Sequence, residues 1–111
     1  MDAEQALSEA ERYIALRDPG AAEAQIAAKW SDIGRAPADA KHVLGIVRAM
    51  QGRDAESEHL VRAAVAEDPR SLRHAIALGH CLIQAGKPSE AADAFRAAPH
   101  LDRRGAGRLK D

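Results

Sequence analysis

The chain has 111 residues, with 16 Lys and Arg against 17 Asp and Glu, so its net charge of −1 creates no global field to draw it to nucleic acid or to a charged membrane. That length accommodates one small domain with one core. Alanine supplies 26 of the residues and aromatics only 3%, a composition that favours closely approaching helices over a sheet or a bulky aromatic core.

The longest apolar runs are a few residues, too short for a spanning helix, and the acidic start Met1-Asp2-Ala3-Glu4 is the opposite of a signal peptide. The single cysteine, Cys81, cannot form an internal disulfide. A cytoplasmic protein is expected.

In chain order, Ala3, Leu7, Ala10 and Ile14 recur at three- and four-residue steps, predicting an amphipathic helix from Ala3 to Arg17. Asp18-Pro19-Gly20 stops it and opens the next, with Asp18 as N-cap and Pro19 at the first helical position. The second helix is expected to reach about Ile33, with Ala22, Ile26, Trp30 and Ile33 on one face. Trp30 reads as core. After a loop at residues 34–37, a third helix is predicted from Ala38 to Gln51, ending at Gly52, and a fourth from Asp54 as N-cap to Glu67. Ser71 caps a fifth helix reaching Ala85, Gly86 follows it, and a sixth begins near Pro88 and ends by Ala98, before Pro99. Residues 100–111 carry Arg103, Arg104, Arg108 and Lys110 with little apolar content, and read as a disordered basic tail with too few charges for useful nucleic-acid affinity.

Within this series lies a repeat. Leu78-Gly79 follows Leu44-Gly45 by 34 residues, and Gly86, Phe95 and Ala98 follow Gly52, Val61 and Ala64 by the same interval. Leu78, Gly79, Leu82, Ala91 and Phe95 resemble the W-x2-L-G-x2-Y…A-x3-F pattern of the tetratricopeptide repeat family, with Ala75 in place of Trp. In the upstream copy Leu44, Gly45 and Pro69 fall on that pattern, Val61 stands in for Phe, and Lys41, Arg48 and Ser57 replace Trp, Tyr and Ala. The resemblance implies an all-α, right-handed helical-hairpin solenoid of about three helix pairs over residues 1–99. A degenerate pair would occupy residues 3–33, with repeats at 38–69 and 71–98. Stepping back 34 residues from Leu44-Gly45 lands on Ala10-Glu11, so the motif is not preserved in the first pair.

Gly45 and Gly79 lie inside helices, at a cost of about 1 kcal/mol each relative to Ala, which close helix contact offsets. Opposite Gly79, Ala91 and Phe95 are expected near the backbone. The family's concave groove, carried over residue by residue, places Asp39, His42, Ile46, Ala49 and Met50 of the third helix with Arg73, Ile76, Ala77, His80, Ile83 and Gln84 of the fifth. His42, Ile46 and Ala77 lie where some relatives carry polar clamp residues, so a mainly apolar partner segment is expected rather than a C-terminal carboxylate.

The histidines and Cys81 do not assemble a site. His74 and Cys81 share a helix face about 10 Å apart along the axis, too far for one zinc ion. No phosphate loop, paired-cysteine motif or nucleophile triad is present in the sequence. The expected protein is not an enzyme, uses no metal or cofactor, and binds a protein or peptide segment, with neither nucleic acid nor membrane as partner. The alternatives are a non-catalytic regulatory or targeting N-terminal region of a larger enzyme, and a self-associating module that forms a homo-oligomer through an uncovered face of the last pair.

Overall fold

Local chemistry starts most of the helices. The computed structural model describes residues 2–98; the predicted tail, residues 100–111, lies outside them. Helix α1 (Ala3–Ala15) is opened by Asp2, whose carboxylate accepts from the Gln5 amide at 2.8 Å while the Gln5 side chain accepts from the Asp2 amide at 3.0 Å. Helix α2 (Pro19–Lys29) has Asp18 as its cap, accepting from Ala21 N at 3.1 Å. Helices α3 (Ala38–Met50) and α4 (Asp54–Glu67) follow a 3-10 turn at Ile33–Arg35. Ser71 caps α5 (Leu72–Gln84) by accepting from His74 N at 3.2 Å, and Pro88 opens α6 (Pro88–Ala97). Among the described residues the fold is all-helical.

Several predicted boundaries move: α1 ends at Ala15 rather than Arg17, which lies beyond the helix at φ +62°. Helix α2 ends at Lys29 rather than Ile33, because Trp30 turns extended at φ −127°, ψ 101° and Asp32 then accepts from Gly34 N to form the 3-10 turn. Trp30 is therefore the cap, half-buried against the core, and not part of a helix face. Helix α4 has Arg53 as its N-cap, with Asp54 already helical; Arg53 makes no cap bond and instead pairs with Glu56 one turn on.

One turn occurs three times. Gly52 (φ +77°) donates to Ala49 O at 3.0 Å while Arg53 N reaches back to Arg48 O at 2.8 Å. Gly86 (φ +76°) and Lys87 bond to Ile83 O and Leu82 O in the same way. These are Schellman caps, which need a left-handed residue. After α1 the same two bonds run from Arg17 to Ile14 O and from Asp18 to Tyr13 O, and Arg17 takes φ +62° without being glycine.

Aligned on this turn, the first pair sits 35 residues before the second, one more than the 34-residue sequence step. The extra residue belongs to the longer α2–α3 connection. Ala10 then falls at the place of Gly45 and Gly79, and Ala22 and Ile26 at the places of Ser57 and Val61 and of Ala91 and Phe95. All of these except Phe95, which is half-buried, are buried.

Packing is densest within α1–α2, α3–α4 and α5–α6, and α4 also packs on α5. The small residues set the helix separation. A Cβ built on Gly45 would stand 2.7 Å from Val61 Cγ2, and one on Gly79 would stand 2.5 Å from the Phe95 ring. The core gathers Ala10, Ala22, Ile26, Val43, Leu44 and Val47, with Trp30, Ile33 and Leu60 against it. Each larger buried aliphatic contributes about 1.5–3 kcal/mol. Across α4 and α6, Glu58 accepts from Lys87 at 3.1 Å and Glu90 from Arg62 at 3.0 Å.

Gly79→Leu should therefore unfold the domain or lower its melting temperature drastically, because the Phe95 ring occupies the space the side chain needs; a thermal melt matching wild type would show that α5 and α6 do not touch there. Arg17→Gly should raise stability by about 0.5–1 kcal/mol, the left-handed penalty removed less the added freedom of the unfolded chain. Urea midpoints compare the two proteins, and a lower midpoint for the glycine variant would contradict a left-handed turn at that position.

Candidate binding groove

Helices α3 and α5 both pack on α4, which turns back on each, so the two run in the same sense with only sparse contact between them. A cleft of about 430 Å³ opens along that seam. Ile46 and Ala49 form its α3 wall, Ile76 and Ala77 its α5 wall, and the α4 residues Ser57 and Val61 reach into it from between. Ala77 is a small residue on its α5 wall, where a larger side chain would fill the cleft.

Eight predicted groove residues line this cleft: His42, Ile46, Ala49, Arg73, Ile76, Ala77, His80 and Gln84. Asp39, Met50 and Ile83 do not. Asp39 is drawn toward His74, its Oδ1 lying 3.2 Å from Nε2. Met50 is half-buried at the end of α3, and Ile83 is 55% exposed outside the cleft. The sequence reading missed Asp54, Ser57, Val61 and Cys81. Val61 and Ser57 occupy pattern positions that pack inside a pair, so nothing in the spacing marked them as accessible from the groove.

The polar residues behave differently from a simple open surface. His42 is not open to water: it is 4% exposed, and its Nδ1 lies 2.7 Å from Nδ1 of the fully buried His74. Arg73 is not a lone cation, since it forms an ion pair with Glu11 of α1. His80 is exposed and lies edge-on to Phe95, with centroids 5.4 Å apart. Exposed Asp54 and Gln84 complete the hydrogen-bonding groups of the cleft. Its chemistry is therefore an apolar trough with a few polar groups, suited to holding a ligand by burial and orienting it by a small number of bonds.

Cys81 enters the trough from α5, its Sγ 3.3 Å from Ser57 Oγ. Burial pushes its thiol up, and Glu58 and Asp54 add to that, while the Ser57 contact works in the opposite direction. A raised thiol is a poor nucleophile. Among the described residues no group of three or more His, Cys, Asp or Glu is placed to hold a metal ion, and no helix is long and apolar enough to cross a membrane.

Compared with known protein families and with curated proteins, the sequence finds no match. Among the described residues, fold and site together define an all-helical domain of three hairpins with an apolar groove between α3 and α5.

Iodoacetamide at pH 8 should modify Cys81 several-fold more slowly than an unstructured peptide thiol, and urea should remove the difference. Equal rates in the folded protein would contradict a thiol raised by burial.

Proposed function

We propose that this chain is a protein-interaction module built from tetratricopeptide-like helix pairs, which receives a mainly apolar peptide or helical segment in the α3–α5 groove and performs no catalysis of its own. One observation carries the reading: the seam between α3 and α5 is an open trough with apolar walls, Ile46 and Ala49 facing Ile76 and Ala77. Trough geometry of this kind favours a segment that buries alternate or helically spaced apolar side chains. The recurrence of the same Schellman turn, and of a small residue at Ala10, Gly45 and Gly79, supports the likeness to a repeat array. A cytosolic setting belongs to the same proposal, with Cys81 kept as a thiol.

Self-association is the second reading, favoured by Ile76 and Ile83, which are 37% and 55% exposed on α5. The two readings require different residues. Ile46 lies in the trough but not on that exposed strip, and Ile83 lies on the strip but not in the trough.

Peptides selected from a random display library on the wild-type protein should lose about tenfold or more in affinity to Ile46→Glu, since a buried anchor position is worth at least about 1.4 kcal/mol. Ile83→Glu should leave them unaffected. The opposite pattern, together with a concentration-dependent mass in light scattering that Ile83→Glu abolishes, would replace groove binding with self-association.

A further inference from the structure

The two ends of the groove differ in charge. Among the described residues that line it, Asp54 is the carboxylate and Arg73 the cation of fixed charge. Arg73 lies in the first turn of α5, whereas Asp54 opens α4, which starts where α3 stops and runs back against α5. Gln84, the last residue of α5, therefore shares the Asp54 end. Arg73 and Gln84 are about 16 Å apart along the helix at 1.5 Å per residue, room for about five extended residues at 3.3 Å each.

The two charges also differ in what they already touch. Arg73 is paired with Glu11. The cations around the other end are engaged as well: Arg53 by Glu56, Arg48 by Glu23, and Lys87 by Glu58. Among the described residues no side chain forms an ion pair or hydrogen bond with the exposed Asp54 carboxylate. A place in the first turn of α4 suits a negative charge whether or not the groove is filled. That charge also reaches the trough, for the Cys81 thiol, pushed up mainly by burial, is pushed further by Glu58 and Asp54. Glu58 is already paired with Arg62 and Lys87, so Asp54 is the carboxylate left for a visiting cation.

We propose that the groove selects a protein segment carrying Lys or Arg beside its apolar anchor, the basic residue lying against Asp54 and Gln84 while the anchor fills the space between Ile46 and Ile76. This deepens the groove reading and rests on it. The Gln84 amide oxygen is a second acceptor for the same cation. A segment with Asp or Glu at that place meets repulsion from Asp54, and Arg73, held by Glu11, does not offset it. The groove therefore has a direction: one end of the occupant is basic and the rest is apolar.

Random-sequence display peptides selected on the full chain should be enriched in Lys and Arg next to a large apolar residue. A synthetic peptide from that pool should lose about threefold or more in affinity when its basic residue is replaced by norleucine, and the loss should shrink as salt rises from about 20 to 300 mM. Asp54→Asn should cause the same loss, with the norleucine peptide binding both proteins alike, because a double-mutant cycle isolates the pair. Gln84→Glu, at an exposed site, should tighten the basic peptide alone and restore its binding to Asp54→Asn. If Asp54→Asn loses helix by circular dichroism, Gln84→Glu decides by itself: tighter binding of the basic peptide alone supports the assignment, and no change overturns it. Additive losses in the cycle, or no excess of basic residues among peptides that depend on Ile46, would overturn the charge preference and leave groove binding standing. Peptide binding that Ile46→Glu does not weaken would remove the groove reading itself. A concentration-dependent mass that Ile46→Glu abolishes would put a second copy of this chain in the groove instead.

Discussion

The contact on which the rest of this structure depends is the one between a residue lacking bulk on the first helix of a pair and the larger side chain facing it from the second. Gly79 lies under the Phe95 ring and Gly45 under Val61, each so close that even a methyl group would collide. A helical glycine weakens its own helix by about 1 kcal/mol, and the burial gained by near contact offsets it. In the first pair Ala10 takes that place with Ile26 in the same cluster, and there the small residue costs the helix nothing. The tight Schellman turns are the partner constraint, because three-residue connections fix the crossing of each pair before its side chains meet.

With each pair closed this way, the pairs can meet only along their flanks. Helix α4 serves both neighbours, packing on α3 within its own pair and on α5 of the next. Sharing α4 keeps α3 and α5 alongside one another with only sparse contact between them, and the trough is the space left over. It is lined by what a helical-hairpin array exposes on that flank, here isoleucine and alanine rather than lysine and asparagine. Two of the long-range polar links reach residues of this flank: the ion pair from Glu11 to Arg73 and the contact from His42 to His74. An exposed ion pair such as Glu11–Arg73 is worth little by itself. The buried imidazole contact is different, since losing it strands polar groups away from water.

Much of this was legible in the sequence because the signals are local. Capping by Asp18 and Ser71, the stops at Gly52 and Gly86, and the 3.6-residue apolar spacing depend on neighbours within a turn or two, so the sequence alone determined six helices and paired Gly79 with Phe95 through the repeat interval. Three- and four-residue spacing also selects one helix face, which is why eight of the residues expected there lie together along the α3–α5 cleft.

Only the tertiary structure decided what those residues meet. Periodicity assigns a face but not a depth, so it could not show that the cleft reaches Ser57 and Val61 on α4, or that Arg73 would find Glu11 sixty-two positions away. The one-residue difference in the first pair was invisible for a related reason: Arg17 adopts a glycine conformation without being glycine, held there by the bonds on either side of it. The histidines make the point most directly. In sequence His42 and His74 are isolated polar residues on separate helices, and their meeting is a product of how α3 and α5 are set on α4, a relation between elements that no single element encodes.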